Sequence, residues 1–406
     1  MRILILSQWF DPEPTFKGLL FARELRRRGH EVEVLTGFPN YPGGKLYPGY
    51  RMRLRQREIM DGISVTRVPL YPSHDRSPLG RVCNYASFAL SASTIGWPLS
   101  RSDLIYVYHP PATVGLPALL GRTVRRIPVV YDIEDLWPDT VAASGMLKNK
   151  IAVRALAAWC RCIYRHADRL IVISPGFRRA LIERGVPAGK IEVIYNWCDE
   201  QSLCWDVQSP VQHPVPAEFR VLFAGNMGLA QALAPVLQAA RLCRQTAPHA
   251  RFVFVGSGID RVRLEAKAAE MDLTNVLFEP QQPMQAMGLV LAAADALLVH
   301  LRDDPLFRIT IPSKTQAYLA AGKPILMGVR GDAADLVRWA GAGLVCEPEN
   351  PASIAHAVAE LSSMSREKLA RMGESGRRYY VEHLSLKAGV DQFERVFRGL
   401  CCTAAN

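Results

Sequence analysis

Paired cysteines are missing from this chain. Its nine cysteines (Cys83, Cys160, Cys162, Cys198, Cys204, Cys243, Cys346, Cys401 and Cys402) are an odd number in 406 residues. They form no C-x-x-C pair and no ligand-like spacing with histidine, which excludes a disulfide scaffold and a zinc module and reads as reduced thiols in cytoplasm. Long apolar runs are scarce too. The opening Met1-Arg2-Ile3-Leu4-Ile5-Leu6-Ser7 meets Gln8 and Asp11 too soon to be a signal-peptide core, so it is expected to be a first buried strand of a protein that is not exported. Between Arg81 and Arg101 the segment Val82 to Ser100 carries no charge, yet Asn84, Ser87, Ser91, Ser93, Gly96 and Pro98 argue against a membrane span of about 20 residues. Two readings stay open for it, a buried helix of the first domain or a partly exposed helix resting in the membrane interface. Internal repeats and low-complexity tracts are absent. So is a G-x-G-x-x-G turn after the first strand, where Ser7-Gln8-Trp9-Phe10-Asp11 stands instead, and this counts against a nicotinamide-dependent oxidoreductase.

What is present is an ordinary globular composition, 49% apolar and 21% charged. The length exceeds what one hydrophobic core supports, so two domains of about 200 residues each are expected. Apolar strand-like runs alternate with helical segments: Ile3 to Ser7, a helix from Gly18 to Arg28 closed by Gly29, then Glu31 to Thr36, Ile63 to Val68, Leu104 to Val107, Pro128 to Tyr131, Leu170 to Ser174 and Ile191 to Tyr195. The prolines of Gln208-Ser209-Pro210-Val211-Gln212-His213-Pro214-Val215-Pro216 interrupt the pattern. A second series follows at Val221 to Ala224, Phe252 to Val255, Val276 to Phe278, Ala296 to Val299, Pro324 to Met327 and Leu344 to Cys346, and after Pro351 only helical pattern remains. This reads as an α/β chain of two doubly wound Rossmann-like domains, 1–200 and 201–383, with a terminal helix, 384–406, crossing back to the first.

The net charge of +11 sits almost wholly in the first half. A one-sided basic surface suits a partner bearing phosphates, whether nucleic acid, anionic lipid headgroups or a lipid diphosphate, or else is merely solubilising. Arg51, Arg53, Arg55 and Arg57 alternate with other residues and on an extended segment would share one face, toward lipid phosphates or solvent. No nucleic-acid-binding motif or basic stripe interleaved with aromatics accompanies them.

Three features of the second half suit a diphosphate. The strand Val221 to Ala224 runs into Gly225-Asn226-Met227-Gly228, whose amides can face an anion before the helix near Gln231. The next strand ends in Gly256-Ser257-Gly258, a second glycine turn at a carboxyl end, where open α/β sheets bind nucleotides. In Ile311-Pro312-Ser313-Lys314-Thr315, Ser313 reads as a helix N-cap and Lys314 as a cation on the first turn, an unfavourable place unless an anion binds beside it. In the first half His109 follows the strand Leu104 to Val107, as a reacting-site or a structural histidine. The loop Asp132-Ile133-Glu134-Asp135-Leu136-Trp137-Pro138-Asp139 offers carboxylates for sugar hydroxyls and an indole for stacking, or is a solvated acidic loop.

With Phe16-Lys17-Gly18, Arg28-Gly29-His30-Glu31-Val32, Thr36-Gly37-Phe38-Pro39-Asn40-Tyr41-Pro42-Gly43-Gly44-Lys45, Asp132 to Pro138 and Tyr195-Asn196-Trp197, the chain resembles family 4 of the retaining glycosyltransferases, of the GT-B fold. Within it the chain is similar to the bacterial surface-polysaccharide branch of L-fucosamine (N-acetyl-L-fucosamine) transferases. That resemblance implies a cleft between the domains, metal-independent transfer with no cofactor, a UDP-sugar donor and an undecaprenyl-diphosphate-linked sugar acceptor; the one-sided charge with Arg51, Arg53, Arg55 and Arg57 adds the expectation of peripheral attachment to the inner face of the cytoplasmic membrane, with no role for nucleic acid. It implies His109, Asp135 and Glu134 as catalytic residues. Gly18, Gly225, Asn226, Gly228, Gln231, Gly256, Gly258, Arg308, Ser313 and Lys314 would face the donor, and Lys17, Asn40, Tyr41, Trp137 and Asn196 the acceptor. The chain departs from the family pattern where two glutamates eight apart often precede the Gly-Lys-Pro turn, since Ile309 and Ala317 stand there. An arginine and a lysine usual after the first glycine turn are replaced by Asn226 and Gln231, so charge neutralisation is expected to fall on Lys314, Arg308 and backbone amides.

Overall fold

A computed structural model describes residues 1–73, 78–96, 102–143, 147, 149–203 and 218–403. The proline-rich segment 208–216 and residues 97–100 lie outside the described residues. The chain divides into two compact units, Met1–Ile194 with Val390–Asn406, and Tyr195–Gly389.

Unit 1 is built on β1 (Arg2–Ser7), β2 (Glu31–Gly37), β3 (Gln56–Met60), β4 (Ile63–Val68), β5 (Leu104–His109), β6 (Val129–Ile133), β7 (Arg169–Val172) and β8 (Ile191–Val193). Their order is β3-β4-β2-β1-β5-β6-β7-β8, parallel except for the β3/β4 pair. Continuous apolar runs such as Ile3-Leu4-Ile5-Leu6 form the central strands because helices cover both faces. Unit 2 carries β9 (Phe219–Ala224), β10 (Ala250–Val255), β11 (Val276–Glu279), β12 (Ala296–His300), β13 (Ile325–Gly328) and β14 (Gly343–Val345), all parallel, in the order β11-β10-β9-β12-β13-β14. Strand alternation divides its core: Val221 and Phe223 pack with Val236 and Leu237, while Leu222 and Ala224 pack with Tyr318 and Leu319 on the other face. In both sheets the strand order reverses beside the first strand, between β1 and β5 and between β9 and β12. Such switch points are where open α/β sheets bind ligands.

Two expectations need correction, and one left open is described. The stretch from Arg51 to Arg57 is not one extended face: residues 51–55 are irregular, and only Arg57 enters a strand, β3, which is itself a strand that the apolar pattern did not announce. His109 is the last residue of β5, one position inside the sheet. The uncharged segment forms a helix, Pro78–Ser91, continued by a π-turn, Ala92–Gly96. It is buried along one side through Asn84, Phe88 and Ala89, while Leu79, Val82 and Leu90 are more than half exposed on the other.

Candidate active site

In unit 2 the two glycine turns are stacked. Gly225 N–H donates to Val255 O at 2.8 Å and Met227 N–H to Ser257 O at 2.7 Å. Gly256 and Gly258 have φ of 143° and 148°, and a Cβ on either would strike the backbone of Gly225 or Met227. These glycines therefore serve the packing of one turn on the other. Gly228 N–H is taken by Gln231 Oε1 at 3.0 Å, so Gln231 closes a 3-10 turn, Leu229–Gln231, and the helix starts only at Ala234. The glycine turn thus engages most of the amides expected to face an anion, and among the described residues those of Asn226, Leu229 and Ala230 remain as donors.

Two further donor assignments change. Ser313 is exposed and makes no cap: the helix Ser313–Ala320 is entered through Pro312, whose φ of −59° already suits a helix. Arg308 is spoken for by Asp303, at 3.0 and 3.2 Å. Lys314 has no such partner. Its ammonium is buried, makes no hydrogen bond, and lies 3.6 Å from the centroid of the Phe223 ring. Side chains on a helix lean toward its N-terminus, which sends this one back to the end of β9. Gly225 makes the room, since a Cβ there would stand 3.1 Å from Nζ. Burial pulls the ammonium down to about 7, and the cation–π attraction of the Phe223 ring opposes that only weakly. A buried cation with no counter-charge among the described residues, at a sheet switch point, has the chemistry to receive an anion.

Sequence reasoning missed His300, the last residue of β12. Its Nδ1 meets Gln231 O at 2.8 Å and its Nε2 accepts from Glu349 N–H at 3.0 Å, which defines a neutral Nδ1–H tautomer joining the glycine turn to the loop after β14. Its position at a strand's carboxyl end, like that of His109, is the signal that would have found it.

In unit 1, Lys17 is not an exposed contact. It is fully buried, with Nζ 2.7 Å from Asp132 Oδ2 and also bonded to Glu134, and the Phe393 ring lies 5.2 Å away. The two carboxylates hold its charge up against burial. Glu134 is thereby a counter-ion rather than an open acid or base. Asp135 has burial and the neighbouring Glu134 charge against its ionised form, and sits at about 6. Gly18 packs against Asp11, whose carboxylate accepts from Leu19 N–H at 2.6 Å and so fills the first turn of the helix Leu19–Arg27 with the chain's own anion.

His109 is 1% exposed, both ring nitrogens are without a partner, and burial depresses its pKa to about 3. Its ring meets Trp137 edge-on at 5.5 Å and Tyr131 at 5.6 Å. Trp137, only 7% exposed, is thus a wall for the histidine more than an open stacking face. Asn40 is buried, donating to Phe38 O and accepting from Asn84, so it shapes its loop from within. Tyr41 stacks on Trp9 at 4.6 Å. Asn196 is buried and counts with unit 2. The structure brings His109, Trp137 and the acidic loop together in unit 1, and Lys314, Gly225 and Asn226 in unit 2. Among the described residues no group of three or more His, Cys, Asp or Glu side chains is placed to hold a metal ion.

Comparison with known proteins identifies the two halves of the chain. Residues 19–197 match the glycosyl transferase 4-like domain and residues 208–379 the glycosyl transferases group 1 domain. The probable glycosyltransferase WbjE of Pseudomonas aeruginosa is 27% identical over 304 residues, 71% of this chain and 73% of its own. The putative colanic acid biosynthesis glycosyl transferase WcaI of Escherichia coli (strain K12) is 28% identical over 342 residues, 79% and 82% of the two chains. Anabaena Alr3699/HepE, solved in complex with UDP and glucose, superposes with a TM-score of 0.66 at 18% identity, covering 98% of this chain and 99% of that one. With two parallel Rossmann-like sheets and these two domain matches in tandem, the chain belongs to the glycosyltransferases of GT-B fold, a glycosyl transferase 4-like domain followed by a group 1 domain.

Proposed function

We propose that this chain is a retaining, metal-independent glycosyltransferase of bacterial surface-polysaccharide assembly, O-antigen, capsule or exopolysaccharide. It moves a sugar, a deoxy-amino sugar such as N-acetyl-L-fucosamine, from a UDP-sugar held by unit 2 to a lipid-diphosphate-linked oligosaccharide received by unit 1. The observation that carries this reading is the buried, unpartnered ammonium of Lys314 beside Gly225, a site that is satisfied only when an anion arrives. The names of WbjE and WcaI and the UDP bound by HepE support the nucleotide and the pathway class.

Transfer with retention needs the leaving diphosphate held still while charge builds on it, which Lys314 and the open amides of the glycine turn supply. The neutral imidazole of His109 can donate one hydrogen bond and accept another at the reacting sugar, and Asp135 accepts from a hydroxyl. The test is a thermal-shift panel with UDP, GDP, ADP and NAD. UDP alone is expected to stabilise the protein, by ~2.7 kcal/mol at a hundredfold excess over Kd. Stabilisation by one of the other three and not by UDP would refute the UDP-sugar donor.

Unit 1 meets the lipid acceptor at an anionic membrane surface. Among the described residues no helix is long and apolar enough to cross a membrane. Support comes from the exposed Arg51, Arg53 and Arg55 around Leu54, itself 73% exposed, and from the bare side of the helix Pro78–Ser91. Each basic residue near such a surface contributes ~1 kcal/mol, screened by salt. Co-sedimentation with phosphatidylserine-containing vesicles is expected at low salt, to be lost when the three arginines become glutamates; no co-sedimentation at low salt would refute it.

A further inference from the structure

Glu13 is a buried carboxylate that neither the acidic loop nor the phosphate seat uses. It is 2% exposed and lies in the loop after β1. Its Oε1 accepts from Asn40 N–H and Tyr41 N–H, both at 2.7 Å, and its Oε2 accepts from Phe10 N–H at 3.2 Å. One side chain therefore joins the loop after β1 to the loop after β2. Beside this joint, Trp9 and Tyr41 stack with centroids 4.6 Å apart and planes 28° from parallel, and Tyr85 meets Trp9 edge-on at 6.3 Å. Trp9 and Tyr41 are both partly exposed. A second buried ion backs the same loops: Arg67, with no exposed surface, donates to Gly37 O, Asp11 O and Glu58.

We propose that Glu13 is a positioning residue for acceptor recognition, clamping the turn at Asn40 and Tyr41 so that Tyr41 and Trp9 together form an aromatic seat for a sugar ring of the acceptor. This rests on the reading that unit 1 receives the acceptor. Sugar rings present C–H faces that pack on flat aromatic surfaces, and a stacked pair held by its backbone offers such a surface with little ordering left to do on binding. Three N–H groups directed at one carboxylate make a stronger clamp than a neutral side chain could, because charge-assisted hydrogen bonds are roughly twice as strong.

The charged and titratable groups that face Glu13 are Arg67 from β4 and Tyr41 and Tyr47 from the clamped loop. Burial pushes Glu13 up to about 7. Protonation places a hydroxyl against a donor and loosens the clamp, so recognition improves as pH rises through about 7.

The experiment compares the full-length wild type with Glu13→Gln and Trp9→Ala, using a synthetic polyprenyl-diphosphate monosaccharide as acceptor probe. In Glu13→Gln the amides of residues 38–50 are expected to exchange hydrogen at least about tenfold faster. Acceptor KM should rise several-fold with kcat and UDP affinity kept, and Trp9→Ala should raise the same KM. Unchanged exchange overturns the clamp. Faster exchange with an unchanged KM in Glu13→Gln, while Trp9→Ala raises KM, overturns the positioning role and leaves the acceptor reading of unit 1 standing. No effect of either variant on KM removes that reading, and the proposal with it. Should Glu13→Gln fail to fold, the wild type serves alone: its acceptor KM is expected to fall between pH 6 and 8 with UDP affinity corrected for, and a flat profile overturns the proposal.

Discussion

Lys314→Ala is expected to lower kcat/KM for the donor by roughly 10- to 100-fold, the value of one charge-assisted hydrogen bond of about 1.5 to 3 kcal/mol. The expected signature is loss of the preference for UDP over UMP. Among the described residues no other cation stands ready in the seat: Arg308 is held by Asp303, and Asn226 and Gln231 bring no charge. Protons should follow the nucleotide. Burial holds the Lys314 ammonium at about 7, below the usual lysine range, so at pH 8 much of it is neutral. A diphosphate favours the charged form, so UDP binding takes up a proton at pH 8 and little at pH 6. The same depression means that the unfolded chain binds the extra proton between about 7 and the ordinary lysine value of 10.5, so this group favours folding more as pH rises through that window. Calorimetry in buffers of different ionisation heat measures the uptake, and Lys314→Arg should abolish it while keeping part of the affinity. An unchanged UDP over UMP preference in Lys314→Ala would put the diphosphate elsewhere.

His109→Phe is the second large effect, on turnover and not on stability. The phenyl ring keeps the volume and the edge contact with Trp137 while removing two buried nitrogens that have no partner in the protein. Stability is expected to stay level or rise, because a buried polar group without a hydrogen bond costs about 1–3 kcal/mol. UDP affinity should hold. Turnover should fall at least about fivefold to tenfold per hydrogen bond lost at the reacting sugar. With a folded pKa near 3 against an ordinary 6.5, His109 stays neutral through the working range, and its contribution to stability declines only as pH falls from about 6.5 toward 3. The His109→Phe variant should therefore lose less stability in acid than the wild type. Wild-type turnover in the variant would make His109 a packing residue.

The periodic features were legible in the sequence and the buried polar contacts were not. Parallel strands announce themselves as apolar runs, which is why β1 and β9 could be read almost to the residue. The edge strand β3, Gln-Arg-Glu-Ile-Met, has one side open to solvent and an apolar content too low to register. Lys314 could be singled out because a cation at a helix start is locally unfavourable. Lys17 could not be assigned correctly, since its carboxylate partners lie 115 and 117 residues away and only the β1/β5/β6 neighbourhood brings them together. The same holds for Glu13, whose partners are amides of the next loop, and for Arg67, which sits at a position in β4 where an inward-facing residue is expected to be apolar. Glycines misled in a particular way. Gly256 and Gly258 look like phosphate-facing residues in sequence, yet neighbouring backbone explains their missing side chains.

The last helix, Leu386–Thr403, starts in unit 2 and from Val390 belongs to unit 1, where Phe393 and Phe397 are fully buried against Phe21, Tyr106 and each other. During synthesis unit 1 begins to emerge before unit 2 and is completed after it: its hydrophobic centre lacks two aromatic rings until Phe393 and Phe397 have left the ribosome. At roughly 5–20 residues per second, the ~200 residues in between impose a wait of about 10 to 40 s, long beside the folding of a small domain. The nascent N-terminal half must pass that interval with Phe21 and Tyr106 uncovered, a natural client for a chaperone, and a chain cut after residue 389 would leave it so permanently.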